Sequence, residues 1–350
     1  MARLGTLALA SVVAVAVLVG GGYWFLVRTA AGQDFLFDRM AGAVLSGGLP
    51  AEFDGLRVFM CGTSGPLVAP GRAQTCVAIT AGDSLYLFDA GEGSADVAQL
   101  HGLPTETLRA IFVTHMHSDH IAGINNFNLA SWVQGRKAPL KVMGPAGIER
   151  VVAGFNEAFA IDRAYRVAHH GEDFLPPALG VMHAEVISPG VVMEVDGLRV
   201  AAFAVDHGPV KPAYGFRIDF RGRSVVVGGD TIATASLTAA AKNADLLLHD
   251  ALSLPIIAGM EAAARNAGRI RAATILHDIQ NYHAHAAHLA PLAQEAGVRM
   301  LALYHFVPAP RNHLLEQIFR RDLPSDAVLT TEGMVFELPA GGTDIHVRQP

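Results

Sequence analysis

The sequence predicts an α/β protein, and the order of its elements fits two sheets in contact with helices on the outside as well as other α/β architectures. Short apolar runs separated by Gly, Pro and Ser turns fill residues 56–88, and such runs are typical of strands. Helical and strand patterns then alternate to residue 338, with an irregular stretch only in the middle. With 51% hydrophobic and 17% charged residues among 350, the chain can bury a large core and is not disordered.

Each element is predicted from its own pattern. The predicted strands are Leu56–Met60, Thr75–Thr80, Ser84–Phe88, Leu108–Thr114, Pro139–Met143, Leu198–Val205, Tyr214–Phe220, Ser224–Val227, Ala244–His249, Met300–Tyr304 and a closing pair, Ala327–Thr331 with Met334–Leu338. The predicted helices are Ser94–His101, Asp119–Val133, Ala146–Ile161, Ala286–Ala296 and Asn312–Arg320. The segment Asp-Ala-Gly-Glu-Gly at 89–93 ends the third strand, and Asp162–Pro177 is polar and predicted to be irregular.

The N-terminus predicts a transmembrane helix ahead of this α/β domain. Leu4–Val27 is 24 residues without a formal charge. As a helix it would span roughly 36 Å, enough to cross a bilayer. Tyr23 and Trp24 near its end suit the membrane interface. Residues 1–28 are therefore predicted to be a membrane anchor or signal segment, followed by a short stalk at 29–54 and the folded domain at 55–350.

Cleavage is the alternative to anchoring. A signal peptide could be removed after Ala31, although its apolar region would ordinarily be shorter than this one. The positive charges on the two sides of the run are nearly balanced. We expect an inner-membrane protein whose folded domain lies outside the membrane, in the periplasm or another extracytoplasmic space.

Charge and cysteine content exclude several classes of protein. The net charge of −6 gives no general attraction to phosphate backbones, so nucleic acid is disfavoured as a partner. Two cysteines, Cys61 and Cys76, exclude a disulfide-rich scaffold and a thiolate zinc finger. They could form one disulfide or remain two buried thiols. The sixteen histidines are the unusual feature, because histidine is a common metal ligand.

The histidines cluster most densely directly after a predicted strand. Residues 114–120 read Thr-His-Met-His-Ser-Asp-His, which places four metal-competent side chains within six residues. His115 and His117 are two apart, so both point the same way in an extended segment. Asp119 and His120 fall at the turn into the next helix. Imidazole and carboxylate ligands suit zinc, iron or manganese better than calcium.

This H-x-H-x-D-H loop resembles the signature of the metallo-β-lactamase fold superfamily of hydrolases, whose fold is a four-layer αββα sandwich. Other segments resemble its ribonuclease Z and arylsulfatase-like branch. They are Ala-Val-Asp-His-Gly at 204–208 followed by Tyr-Gly-Phe-Arg at 214–217, Val-Gly-Gly-Asp-Thr at 227–231, His-Asp-Ala at 249–251 and Leu-Tyr-His-Phe at 303–306. The resemblance covers residues 56–338, and it implies a hydrolase domain over 55–350.

The resemblance implies two metal sites, most simply two zinc ions, with iron or manganese as alternatives. The first ion would be held by His115, His117 and His207. The second would be held by Asp119, His120 and His305, with Asp230 between the two ions. Two such ions can activate water near neutral pH and polarise the scissile bond. Asp119 would also orient that water, which makes Asp119 and Asp230 candidate catalytic residues.

A second histidine cluster follows at 282–288, Tyr-His-Ala-His-Ala-Ala-His. The resemblance implies a proton donor here. His283 is the best match and His285 is the alternative, since an imidazole is an effective general acid near pH 7. His249 and Asp250 would orient that imidazole.

Three more residues are candidate substrate contacts. His169 and His170 lie in the irregular middle stretch, where a substrate-lining lid would be expected, and a solvated loop is the alternative. Tyr214 belongs to the segment that resembles the third-histidine motif. By contrast, Gly-Thr-Ser-Gly-Pro at 62–66 lacks the lysine of a phosphate-binding P-loop, so it is predicted to be a turn.

The predicted function is therefore hydrolysis of a small ester by a membrane-anchored enzyme with two metal ions. Phosphodiesters and sulfate esters rank first as substrates, and lactones or thioesters rank next. A ribonuclease Z-like nuclease is disfavoured because His207 and Asp230 lie only 23 positions apart, where those enzymes carry a long basic arm. A membrane-tethered binding protein without activity is the alternative from a different class, and the complete ligand set argues against it.

Overall fold

The structure is a computed structural model that describes residues 2–46, 48–50 and 52–350, with the side chains of residues 2–13 and 43–46 left undescribed. Contacts divide the chain into two compact units, Met1–Leu49 and Pro50–Pro350. The predicted boundaries at residues 28 and 54 remain predictions.

The first unit consists of two helices, α1 (Ala2–Arg28) and α2 (Ala30–Ser46). Thr29 separates them: its hydroxyl donates to the Phe25 carbonyl at 2.7 Å and accepts from the Gly32 amide at 3.1 Å. Among the described side chains, no single helix has the length and hydropathy of a membrane span, whereas Ala14–Arg28 and Ala30–Gly42 meet both criteria as a pair bent by 78°. The predicted span Leu4–Val27 lies within α1, and the side chains of its residues 4–13 are outside the described part.

The segment predicted to be a stalk is mostly helical. Residues 30–46 form α2 because the run has few residues that disfavour helix, with helix-compatible Ala, Leu, Phe and Met at most positions. Positions 47 and 51 of the same segment are outside the described residues.

The second unit alternates strands and helices. Its first half contains β1 (Phe53–Gly62), β2 (Cys76–Gly82), β3 (Ser84–Phe88), α3 (Ser94–Leu100), β4 (Leu108–Phe112), α4 (Ser118–Ile121), α5 (Ile124–Val133), β5 (Lys141–Gly144), α6 (Ile148–Ala158), α7 (Ala160–His170), β6 (His183–Val186) and β7 (Gly190–Val195). Its second half contains β8 (Leu198–Ala204), β9 (Tyr214–Phe220), β10 (Arg223–Val227), α8 (Ala235–Ala240), β11 (Leu246–Leu252), α9 (Leu254–Asn266), α10 (Ile270–Asp278), α11 (Ala286–Ala296), β12 (Met300–Val307), α12 (His313–Arg320), β13 (Val328–Leu329), β14 (Val335–Pro339) and β15 (His346–Arg348).

The strands form two sheets that pack face to face. Within the described residues, one sheet has eight strands in the order β15-β14-β1-β2-β3-β4-β5-β6, and the other has seven in the order β13-β12-β11-β10-β9-β8-β7. Phe88 and Phe112 of the first sheet contact Phe216 of the second, with ring centroids 5.4 and 5.5 Å apart. Apolar side chains from both sheets therefore form one buried core between them. Helices α8, α11 and α12 cover the outer face of the second sheet.

Parallel pairing determines where the functional loops meet. Strands β3 to β6 run parallel, as do β10 to β13, and β8 runs in the same direction as β10 because both pair antiparallel with β9. Carboxyl ends of parallel strands lie at one edge of a sheet. The loops after β4, β8 and β10 therefore leave their sheets where the candidate ligands follow in sequence.

The predicted irregular stretch Asp162–Pro177 is wrong in its first half, because Ala160–His170 forms the helix α7. No side chain of α7 is fully buried. Asp, Arg and His make the segment polar overall, which is typical of a loop, although its few apolar residues, among them the exposed Ile161 and Tyr165, have helical spacing.

Three strands, β6, β7 and β15, are absent from the sequence prediction. Each lies at the edge of its sheet, and every residue of β6 is exposed. Strand prediction relies on alternating burial, and an exposed edge strand has little of it.

Two further predicted elements differ from the structure. The helix predicted over Asp119–Val133 breaks between α4 and α5, where Gly123 packs so tightly that an added Cβ would lie 2.3 Å from the Gly91 carbonyl oxygen. The closing pair is also wrong: β13 joins β12 in one sheet and β14 joins β1 in the other.

The two cysteines form a disulfide between β1 and β2. Both are fully buried, and the strand register shifts beside Cys61. The bridge closes the base of the loop at residues 62–75, whose Gly65 lies against the ring of His305. It therefore restrains a loop that contacts a candidate ligand.

We expect removal of this disulfide to lower the free energy of unfolding of the full-length protein by about 3 kcal/mol, since it closes a 15-residue loop in the unfolded chain. Chemical denaturation of wild type and the double variant Cys61→Ala/Cys76→Ala would measure the loss. Dithiothreitol should lower the stability of wild type and leave that of the variant unchanged. Two titratable thiols in unfolded, unreduced wild type would contradict the disulfide.

Candidate metal centre

Seven side chains predicted from the sequence as metal ligands converge at the carboxyl edge of the two sheets. The loop after β4 and the helix α4 that follows it supply two each, the loops after β8 and β10 supply one each, and β12 supplies the last from within the strand. His305 has a positive φ of 44°, in a strand whose register with β11 shifts beside Asp250.

The first group brings together three histidines. Nε2 of His115 lies 3.0 Å from Nδ1 of His117, and Nε2 of His207 lies 3.4 Å from the same atom. One ring nitrogen from each lies within 4.8 Å of the others, a separation that allows all three to bind one ion. His115 and His207 are buried and His117 is exposed, so this group is accessible from solvent on one side.

The second group comprises Asp119, His120 and His305, all buried. Oδ2 of Asp119 lies 3.2 Å from Nε2 of His305 and 3.6 Å from Nε2 of His120. This group therefore offers one carboxylate and two imidazoles to an ion.

Asp230 lies between the two groups. Its Oδ2 is 3.0 Å from Nε2 of His305 and 3.4 Å from Nε2 of His120 in the second group. The same oxygen is 4.0 Å from Nε2 of His115 and 3.9 Å from Nε2 of His207 in the first. A carboxylate in this position can serve both groups, as the sequence predicts.

The donor atoms fit divalent cations. Nε2 of His120 and Oδ1 of Asp230 are buried and have no hydrogen-bond partner among the described residues, although such atoms are ordinarily paired. His207 donates from Nδ1 to the Tyr282 carbonyl at 3.0 Å, so its Nε2 has a free lone pair. Five histidines and two carboxylates form a set that suits zinc and related transition metals.

The electrostatics of the two groups differ. Burial lowers the pKa of His115 well below its ordinary value, so this imidazole is neutral and ready to bind a cation. Burial also lowers the pKa of His305, but Asp230 and Asp119 outweigh it and raise that pKa to about 10. Burial raises the pKa of Asp119, whereas His120 and His305 lower it to about 2. In the second group, the carboxylates therefore lie beside two imidazoles, His120 and His305, whose raised pKa favours the positively charged form.

Asp89 organises the histidine loop, a role that the sequence patterns do not predict. Its carboxylate accepts from the Thr114 amide at 2.8 Å, from the Thr114 hydroxyl at 2.9 Å and from Nδ1 of His120 at 2.8 Å. The Thr114 hydroxyl lies 3.0 Å from Nδ1 of His115 and can accept its proton. Asp89 therefore orients two ligands of different groups. The sequence pattern that could have indicated this role is an aspartate at the end of a predicted strand, followed by glycines at positions 91 and 93.

Comparisons with known proteins agree with this geometry. Residues 85–306 match the family model described as a beta-lactamase superfamily domain. A ribonuclease Z from Mycobacterium marinum is 34% identical over 73% of this chain and 87% of its own length.

The chain belongs to the metallo-β-lactamase superfamily of hydrolases.

Solved structures of this superfamily share the fold. The metallo-beta-lactamase fold protein YhfI from Bacillus subtilis is 22% identical with a TM-score of 0.57, covering 81% of this chain and 100% of that one. The short form of human tRNase Z is 21% identical with a TM-score of 0.54, covering 81% of this chain and 99% of that one. The predicted αββα fold is confirmed, and the chain is a hydrolase by its family.

A histidine–aspartate pair lies beside the superfamily ligand set. Nδ1 of His283 donates to Oδ2 of Asp250 at 2.9 Å and lies 3.9 Å from Oδ2 of Asp230. Asp250 is fully buried, and Nδ1 of His249 lies 2.8 Å from its Oδ1. Burial raises the pKa of Asp250, but hydrogen bonds from His249 and His283 outweigh burial and lower it. An ionised Asp250 thus fixes the orientation of the His283 ring.

The remaining candidates lie apart from this pair. His285 bonds the Gln280 carbonyl at 2.9 Å and stacks on His288, beside a cavity of about 420 Å³. His169 and His170 are exposed at the end of α7, where the structure gives them no contact with the seven ligand residues within the described part. Tyr214 is buried in the core between the sheets, and its amide donates to the Thr114 carbonyl at 3.0 Å.

We expect Asp89→Asn to weaken zinc binding by roughly 10- to 100-fold, because the amide cannot accept all the hydrogen bonds that orient His115 and His120. Competition with a chromophoric chelator would measure the affinity of the full-length protein. Asp83→Asn, at an exposed turn between β2 and β3, is the matched control. Unchanged zinc affinity combined with a lower melting temperature would show that Asp89 serves only packing.

Proposed function

We propose that this protein is a membrane-anchored, binuclear metal-dependent hydrolase of phosphodiesters. One observation carries the proposal: Oδ2 of Asp230 lies within 4.0 Å of ring nitrogens from both three-residue groups. Two ligand groups that share one carboxylate can hold a pair of cations a few ångströms apart.

When bound, two divalent cations supply Lewis-acid polarisation of the ester and activation of a water molecule. Each cation would have three unshared protein ligands, which leaves coordination positions for water and substrate. The protein holds these ligands rigidly: Asp89 orients two imidazoles, and the Tyr282 carbonyl orients His207. Such preorganisation lowers the cost of reaching the reactive geometry.

His283 is placed to supply a proton to the leaving oxygen. Its Nδ1 hydrogen is held by Asp250, which leaves Nε2 as the atom that can hold and release a second proton. Asp250 stabilises the charged ring that carries both protons, as a carboxylate does when it orients a catalytic imidazole. The leaving oxygen would therefore depart as an alcohol rather than as an alkoxide.

The curated relatives favour phosphodiesters among the esters considered. Several are named ribonuclease Z, at 33–35% identity, and the RNA backbone is a phosphodiester. Sulfate esters, lactones and thioesters have no such support from the relatives and rank below.

A nuclease that acts on RNA is the second candidate, and the same relatives favour it against the expectation that nucleic acid is not a partner. The interval between His207 and Asp230 weighs against it. A turn at residues 208–213 and the two paired strands β9 and β10 occupy this interval, and both strands belong to the sheet. The net charge of −6 adds no attraction for RNA.

We further propose anchoring through residues 4–27, with the catalytic domain on the extracytoplasmic side. The buried disulfide supports this side, since disulfides persist in oxidising compartments. Fractionation of expressing cells should leave the full-length protein in membranes after an alkaline wash and release it with detergent. A deletion of residues 4–27 should become soluble. Retention of the deleted form in membranes would contradict the anchor.

Two substitutions should separate metal binding from proton transfer. Asp230→Ala should lose both bound metal and hydrolysis of bis(p-nitrophenyl) phosphate, because it removes the shared ligand. His283→Gln should keep about two ions per chain and lose roughly 10²- to 10⁴-fold in kcat toward a phosphodiester with an alkoxide leaving group, the range for general acid catalysis. The loss should be much smaller toward the nitrophenyl ester, because nitrophenolate departs without being protonated. Elemental analysis and steady-state kinetics of the detergent-solubilised full chain would measure both.

The outcomes discriminate among the candidates. Full metal content in Asp230→Ala with activity retained would overturn the binuclear assignment. A metal-free wild type without activity would favour a binding protein. A structured RNA cleaved with much higher kcat/KM than the small diester would favour the nuclease, and faster cleavage of a sulfate ester, lactone or thioester would replace the phosphodiester.

A further inference from the structure

The short loop at residues 207–213, here named the rim loop, borders the metal centre and is held at both ends. The Val210 amide donates to the His207 carbonyl at 3.2 Å, which turns the loop back on a metal ligand. The Val205 amide donates to the Ala213 carbonyl at 3.0 Å, and Ala213 is followed by Tyr214, whose amide bonds the histidine loop. The rim loop is therefore fixed relative to the ligands.

Tyr282 packs directly against the rim loop. A Cβ added to Gly208 would lie 3.2 Å from Cβ of Tyr282, so the loop backbone packs closely against this residue. The Tyr282 ring stands edge-on to His207, with centroids 5.1 Å apart and planes at 88°, and its centroid is also 5.1 Å from that of His283. Its hydroxyl has no hydrogen-bond partner among the described residues and can donate to a ligand.

Lys211 places a positive charge on the same loop. It follows directly after Val210, whose amide bonds the His207 carbonyl, and it is exposed. Four extended residues span at most about 14 Å, and the turn makes the separation from His207 shorter. Lys211 forms no ion pair with any carboxylate in the described part of the chain. The nearby Asp206 instead accepts from the Gly208 amide at 3.0 Å.

We propose that Lys211 and the Tyr282 hydroxyl form a subsite for a second anionic group that adjoins the scissile phosphodiester. The inference rests on the proposed function and deepens it by naming a substrate class, phosphodiesters with a neighbouring phosphate. Lysine binds phosphate as a point charge, and a phenol adds a directed hydrogen-bond donor. An unpaired ammonium on a loop that begins at a metal ligand, in a protein of net charge −6, is a local site of attraction for such a group.

A matched substrate pair tests the subsite. Thymidine 5′-(p-nitrophenyl phosphate) and its 3′-phosphorylated derivative have the same leaving group and differ by one phosphate. For metal-loaded, full-length wild type, we expect the 3′-phosphate to lower KM about tenfold, which corresponds to about 1.4 kcal/mol, with little change in kcat, since the added contacts to an anionic group are charge-assisted. Lys211→Gln should reduce this preference to less than about twofold. Tyr282→Phe, which keeps the ring, should reduce it in part.

Lys242→Gln is the control for lost positive charge. Lys242 is also exposed, but it precedes the amino end of β11, opposite the edge that bears the ligands. This variant should keep the full tenfold preference. A preference that persists in Lys211→Gln, or one that is equally lost in Lys242→Gln, would overturn the subsite.

A binding measurement separates failure of the subsite from failure of the proposed function. Calorimetry would compare thymidine 3′,5′-bisphosphate with thymidine 5′-monophosphate, and we expect about tenfold tighter binding of the bisphosphate that disappears in Lys211→Gln. If the binding difference is present but neither ester is hydrolysed, the subsite stands and the proposed activity fails. If both esters are hydrolysed equally and the two nucleotides bind equally to wild type, the activity stands and the subsite is refuted.

Discussion

The carboxylate of Asp230 is the charge around which the carboxyl edge of this protein is arranged. It is 2% exposed, and burying an unpaired carboxylate costs several kcal/mol. Both sheets contribute to its compensation, because His120 follows β4 of one sheet and His305 lies on β12 of the other. The site therefore depends on the two sheets remaining packed together. The contact between Phe112 and Phe216 in the core between the sheets stabilises that packing.

The metal centre also requires loop backbone to lie very close to a ligand ring. Gly65 lies so near His305 that an added Cβ would be 2.8 Å from Cε1 of the ring, which limits how far the ring can move. The disulfide at the base of this loop limits how far Gly65 can move. Asp89 restrains the histidine loop in a similar way, through hydrogen bonds rather than packing. The ligands are thus positioned by backbone and buried polar contacts before any cation binds.

The sequence predicts the site better than it predicts the surface of the fold. The ligands His115 and Asp230 follow buried strands, and such strands have a strong apolar pattern that locates their ends. Strands β6, β7 and β15 are largely exposed edge strands, and helix α7 is polar overall, so these elements lack the buried apolar residues by which the others are predicted. Asp89 went unassigned because its role depends on contacts with residues 25 and 31 positions later, which no local pattern records.

The ligand set alone cannot select a substrate, because two cations polarise a phosphodiester, a sulfate ester or a lactone by the same means. Selection must come from side chains that contact the parts of the substrate away from the reacting bond, since discrimination is a difference in binding between competing substrates. In this protein such side chains lie on short loops whose ends are fixed to the centre. Lys211 illustrates the point: it follows the ligand His207 by four positions on such a loop, and it forms no ion pair within the described residues. Its neighbour Val210 bonds a ligand residue directly, so a change in the rim loop would alter substrate choice and the first metal group together.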